Sequence, residues 1–253
     1  MPPATGRSES RTPLGTPKGI EACLFDLDGV LTQTATVHAA AWKEMFDAFL
    51  RGRAARTGEP FVPFDAVHDY DAYVDGRPRE DGVRTFLAAR GIEPPADGPE
   101  SVTALGTRKN ELVLTMIKTR GVQAYEGSVR YVRAVRDAGL HRAVVSSSAN
   151  CREVLEAAGI GDLFEIRIDA LVAASESLKG KPAPDTFLAA ARKLGVARER
   201  AAVFEDALAG VAAGRAGGFG FVVGVDRSSQ AAALREHGAD VVVADLSELL
   251  DRA

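Results

Sequence analysis

The stretch Ile20-Glu21-Ala22-Cys23-Leu24-Phe25-Asp26-Leu27-Asp28-Gly29-Val30-Leu31-Thr32 decides the fold. Its apolar run Ala22-Cys23-Leu24-Phe25 has the length and composition of a buried strand. The run stops on two carboxylates two residues apart, and Gly29 then lets the backbone turn tightly beneath whatever they hold. Ligands of open α/β sheets sit at this carboxyl edge. The spacing suits nucleophilic chemistry on phosphorus: Asp26 attacks and carries the phosphoryl group, while Asp28 protonates the leaving oxygen and later activates the acceptor. A hard cation such as magnesium binds among such oxygens and offsets the charge of an incoming phosphate. From Asp-x-Asp alone, a strand followed by a solvated acidic turn is the commoner reading, and the rest of the chain has to overturn it.

Outward from this stretch, Val37 to Leu50 has helical spacing, with His38 and Trp42 four apart on one face. Arg51 to Pro63 reads as a Gly, Arg and Pro loop that breaks the helix. Helical pieces then recur over Phe64 to Val74, Asp81 to Arg90 and Leu105 to Arg120. After Gly121 short valine-rich runs alternate with helices, which predicts repeated βαβ units. The expected fold class is α/β, a Rossmann-like, doubly wound, mainly parallel sheet. The expected organisation is a catalytic core of residues 19–36 plus 118–253, interrupted by a helical cap at 37–117. A cap inserted there stands over the carboxyl edge as a lid.

Composition narrows the function classes. The 253 residues carry a formal net charge of −4, which offers no basic excess for a nucleic-acid backbone. The two cysteines indicate neither a disulfide framework nor a zinc site, so cytoplasm is the default location. No apolar run reaches membrane-spanning length, and Met1 to Lys18 lacks a signal-peptide core and reads as a disordered tail, with a transit peptide as the alternative.

Three further segments sit at the ends of predicted strands or the starts of predicted helices. Ser146-Ser147-Ser148-Ala149-Asn150 offers hydroxyls and backbone N–H groups to phosphate oxygens, or else simply caps the next helix. In Gly180-Lys181-Pro182-Ala183-Pro184-Asp185, prolines pin a lysine that can neutralise Asp26 and a phosphate, unless the segment is an ordinary loop. Glu205-Asp206 ends another apolar run and completes a cation site, or forms an acidic loop.

In this order, Asp26-x-Asp28, Ser146, Lys181 and Glu205-Asp206 resemble the four motifs of the haloacid dehalogenase superfamily of phosphotransferases, over essentially all of the chain from Lys18. Within that superfamily the chain resembles the beta-phosphoglucomutase branch, through Asp26-Leu27-Asp28-Gly29-Val30, His38-x-x-x-Trp42, Gly76-Arg77-Pro78-Arg79-Glu80-Asp81, Arg108-Lys109-Asn110 and Gly180 to Asp185. The resemblance implies a magnesium-dependent mutase that interconverts beta-glucose 1-phosphate and glucose 6-phosphate through an aspartyl phosphate and glucose 1,6-bisphosphate. Asp26 is then the nucleophile and Asp28 the acid/base, with Lys181 and Ser146 steadying the phosphate. Asp26, Asp28 (through its carbonyl), Glu205 and Asp206 form the metal site. Arg79 clamps the distal phosphate, and His38, Trp42, Gly76, Lys109, Ser147, Ser148 and Asn150 line the substrate site. The implied partner is a small sugar phosphate, with no nucleic acid or membrane, and a monomer is expected.

This sequence departs from the branch at Ala149, where a basic residue for the distal phosphate is usual, at Gln33, and in the cap loop. Arg77, Arg108 and Arg152 are candidates to compensate. These departures keep a sugar-phosphate phosphatase as the alternative function.

Overall fold

The structure is a computed structural model that describes residues 12–250. Six parallel strands form one sheet in the order β3-β2-β1-β4-β5-β6: β1 Ala22–Phe25, β2 His141–Val145, β3 Ile166–Ile168, β4 Ala201–Glu205, β5 Phe221–Val225 and β6 Val241–Val243. β1 pairs with β2 on one side and β4 on the other, so the strand order reverses beside it. Parallel strands align their carboxyl ends, which brings Asp26, Ser146 and Glu205 to one edge although they are far apart in sequence. Both faces of the sheet are covered, and β1 is buried at every residue. On one face Phe25 stacks on Phe204 at 4.6 Å and Tyr131 closes over both, while the other face packs Leu24 and Val203 against Phe187 and Ala190.

The helices are α1 Ala35–Thr57, α2 Arg79–Ala89, α3 Val102–Arg120, α4 Glu126–Asp137, α5 Cys151–Ala157, α6 Ala170–Ser175, α7 Asp185–Leu194, α8 Leu208–Ala216 and α9 Ala231–Glu236. The first three, with a π-helical turn at Tyr70–Val74, bury an apolar cluster drawn from residues 42–105. Its centre is aromatic: Phe46 lies 4.2 Å from Phe86, 5.2 Å from Phe64 and 5.2 Å from Trp42.

Three sequence expectations change. The loop expected from Arg51 is helical to Thr57, because Gly52 costs too little to stop a long helix and the break comes at Gly58, left-handed at φ +75°, whose N–H caps Ala54 O. The helix expected from Phe64 begins late, since the Asp47 carboxylate takes the Phe64 N–H and the Asp65 carboxylate takes those of Val67 and His68, making a side-chain turn. The tail expected to be disordered through Lys18 packs from Thr12 onward: Leu14 and Thr16 are buried, and Leu14 O accepts the Tyr131 hydroxyl at 2.9 Å. The rest of that tail lies outside the described residues. Among the described residues no helix is long and apolar enough to cross a membrane.

Candidate active site

β1 delivers Asp26 to the sheet edge, where the Asp26 N–H bonds Phe204 O of β4 at 2.9 Å. Lys181, from the loop before α7, is buried with its ammonium between two carboxylates. Its Nζ contacts Asp26 Oδ1, lies 2.5 Å from Glu205 Oε1, and donates to Val145 O at 3.0 Å. Burial alone would lower Lys181, but Asp26 and Glu205 outweigh it and hold the ammonium above the ordinary lysine range. Burial pushes the Asp26 carboxyl well up; Lys181 opposes this, while Glu205 and Asp28 reinforce it. Asp206 is also pushed well up, by burial and then by Asp75, Asp26, Glu205 and Asp28.

Oxygens of Asp26, Glu205 and Asp206 all lie within 4.8 Å of one another. Buried, mutually repelling carboxylates of this kind suit a hard divalent cation, which would lower their proton affinity. Gly29 makes the approach possible. It sits at φ +86°, and a Cβ there would stand 1.7 Å from Asp206 Oδ2. Glu205 is the most committed of the three, because its other oxygen accepts the Ala207 N–H at 3.1 Å.

The Asp28 carboxylate is not one of this cluster. Its Oδ1 accepts the Thr34 hydroxyl, with Thr32 Oγ1 2.7 Å from Thr34 Oγ1, and His38 Nε2 stands 3.5 Å away. His38 Nδ1 is 2.9 Å from Lys109 Nζ, and the Lys109 ammonium lies 4.8 Å over the Trp42 ring. Burial and then Lys109 push His38 down to about 4, so it is neutral and accepts from Lys109 at Nδ1, leaving its Nε2–H toward Asp28. Burial likewise brings Lys109 down to about 7.

Above the cluster is a cavity of about 60 Å³, lined from the core by Asp26, Asp28, Ser147, Ser148, Asp206 and Ala207. From the other side it is lined by His38, Trp42, Tyr70, Val74, Asp75, Gly76, Arg77, Arg79, Lys109 and Asn110. The Arg79 Nε is buried with no hydrogen-bond partner. Asp75 hydrogen-bonds the Tyr70 side chain, and burial lifts its carboxyl to about 7.

Of the expected site residues, Ser146 does not line this cavity but a neighbouring groove with Pro78, Ser147 and Thr186, and its Oγ accepts the Ser148 N–H at 3.1 Å. Asn150 turns to the helical segment instead, donating from Nδ2 to Asn110 Oδ1 at 2.9 Å. Gly76 presents its carbonyl to the Ser147 hydroxyl at 2.8 Å. Gly180 completes this seam, since a Cβ there would meet Pro78 Cγ at 2.0 Å. Of the three candidates to offset Ala149, Arg77 lines the cavity, Arg152 lies in a separate groove with Phe164 and Arg167, and Arg108 is in neither. Sequence reasoning missed Thr34, Tyr70 and Asp75. Asp75 directly precedes the singled-out Gly76-Arg77-Pro78-Arg79 segment, so its position was the available signal.

Residues 20–218 match the haloacid dehalogenase-like hydrolase family. The chain belongs to this family. A beta-phosphoglucomutase of Mycobacterium tuberculosis is 56% identical over 246 residues, covering 94% of each chain. That of Bacillus subtilis is 30% identical over 230 residues, covering 91% of this chain and 92% of its own. The crystal structure of the Clostridium difficile beta-phosphoglucomutase superposes with a TM-score of 0.73 at 26% identity, over 91% of this chain and 93% of that one. As a haloacid dehalogenase-like protein with these relatives, the chain is an enzyme, a beta-phosphoglucomutase-like phosphotransferase.

Proposed function

We propose that this enzyme interconverts beta-glucose 1-phosphate and glucose 6-phosphate, with residues 37–117 acting as a cap over the catalytic core. The observation that carries the reading is the buried, unpaired Arg79 Nε on the cavity that Asp26 also lines. One phosphate is handled at Asp26 while a second is gripped by the cap, as an exchange between two positions of a bisphosphorylated sugar requires. Asp26 attacks phosphorus and becomes an aspartyl phosphate, and the P–O bond to the sugar breaks. Asp28 gives its proton to the leaving oxygen, then takes one from the accepting hydroxyl in the reverse transfer. His38 and Thr34 orient Asp28, and Lys181 holds Asp26 beside the phosphoryl oxygens.

Asp26 and Asp206, with Glu205 and the Asp28 carbonyl, are the residues to hold magnesium, whose charge would offset that of the transferring phosphoryl group. The cavity of about 60 Å³ is far below the several hundred Å³ of a typical small-ligand site, so substrate enters when cap and core part. Closure then excludes water from phospho-Asp26.

A phosphatase shares the first half-reaction and differs only in whether water or a sugar hydroxyl receives the phosphoryl group. Ala149 favours keeping that alternative in the test, because it supplies no charge for a distal phosphate. Turnover of beta-glucose 1-phosphate with magnesium and a trace of glucose 1,6-bisphosphate is followed for both products. The mutase yields glucose 6-phosphate with little free phosphate, and excess free phosphate would make it a phosphatase.

A further inference from the structure

The two acid-bearing loops are tied together by a third segment that carries no acid of the site, residues 226–230 after β5. The Arg227 Nε donates to Gly29 O at 2.8 Å and its Nη1 to Ala244 O at 2.7 Å. Its guanidinium lies 3.6 Å over the Tyr125 ring, and the Tyr125 N–H bonds Leu31 O at 2.9 Å. Three residues on, Gln230 Nε2 donates to Asp206 O at 3.2 Å, and the Asp226 carboxylate takes the Gln230 N–H at 2.8 Å. One five-residue segment thus grips the backbone of the β1 loop at Gly29 and of the β4 loop at Asp206. Those are also the two residues that nearly touch, since a Cβ on Gly29 would lie 1.7 Å from Asp206 Oδ2.

We infer that Arg227 and Gln230 are positioning residues that fix the separation of Asp26 and Asp206 and thereby set the affinity of the acid cluster for a divalent cation. Neither reaches reacting atoms in this account; each acts through a backbone carbonyl. The inference rests on the metal site proposed above. It makes a prediction opposite in sign to simple electrostatics. Removing a nearby cationic side chain should tighten binding of a divalent ion by relieving repulsion. Removing a positioning contact should loosen it, because outer contacts that orient ligands typically carry about 10- to 100-fold in affinity.

The test is titration of the metal-free protein with Mn²⁺, read by electron paramagnetic resonance of the free ion, with thermal unfolding measured alongside. Arg227→Met is expected to weaken binding about tenfold and Gln230→Ala by less, with the double variant weaker than either. Arg227→Lys, which keeps the charge and loses the fork, should also bind more weakly, and with Gln230→Ala it carries the test should Arg227→Met fail to fold. A merely structural role would lower the unfolding temperature and leave Mn²⁺ affinity unchanged. Affinity equal to or tighter than wild type in the folded variants overturns the inference. Wild-type protein that binds no Mn²⁺, or an Asp206→Asn variant that binds it undiminished, overturns the proposed metal site and this inference with it.

Discussion

The two walls of the cavity are built differently. On the core side Lys181 meets Asp26, Glu205 and Val145 O, and the Asp26 N–H is fixed to the neighbouring strand. On the other wall Lys109 meets His38 and Asp75 meets Tyr70, and polar contacts bridge to the core. Ser147 meets Gly76, Asn150 meets Asn110, and Arg79 Nε has no partner at all. The contrast fits the proposed division of labour, with the sheet edge for chemistry and the separately packed aromatic cluster for recognition. Arg79 Nε is left open for a ligand, whereas Asp26, proposed to carry the reacting atom, is fixed by Lys181.

Substitutions can break or sharpen that contrast. The largest effect is expected at Asp26. Asp26→Asn should reduce turnover by at least about four orders of magnitude with its circular dichroism unchanged, and near-normal activity would end the account of the core wall. On the opposite wall, Arg79→Ala should lower kcat/KM for the mutase reaction about 10²- to 10³-fold, the cost of losing one buried charged contact to phosphate. Hydrolysis of a small monophosphate should fall far less, and equal losses in both assays would deny the cap its recognising role.

A smaller effect of opposite direction is expected at Lys109. Burial brings its folded-state value to about 7, below the ordinary 10.5, so holding the charge costs the folded protein its full penalty below pH 7; above that the folded lysine gives up its proton and the penalty falls to zero near 10.5. Lys109→Met should therefore raise the unfolding temperature by a few degrees at pH 7 or below. The gain should shrink as pH rises toward 10.5, while KM for sugar phosphate increases. A variant less stable than wild type at neutral pH would show that the lysine supports the cap rather than serving a ligand. The smallest response should come from the cysteines. Cys23 and Cys151 are buried, and burial pushes both thiols up, so a thiol reagent should leave the native enzyme unmodified and fully active.

Much of the core side was legible in the sequence because several of its groups stand where an apolar run stops, Asp26 after Phe25, Ser146 after Val145 and Glu205 at the end of Ala201–Glu205, while Lys181 was marked by the prolines that follow it. Parallel pairing then does the rest, converting strand ends into a single edge. The helical character of residues 37–117 was legible as spacing, but its details depended on side chains competing for backbone N–H groups, as Asp47 and Asp65 do, and no periodicity announces such competition. Least legible were the ties that run side chain to backbone over long separations. Arg227 and the Gly29 carbonyl are 198 residues apart, and a carbonyl acceptor places no demand on residue type that a single sequence could display.

The most direct test of the central claim, that a core carboxylate carries the phosphoryl group while the cap holds the other end of the substrate, is a rapid acid quench after mixing enzyme with glucose 1,6-bisphosphate and magnesium. Peptide mass analysis then locates the added phosphoryl group. One phosphoryl increment is expected on the peptide bearing Asp26, absent from Asp26→Asn and formed more slowly in Arg79→Ala. Turnover without that increment, or an increment on any other residue, would contradict that claim.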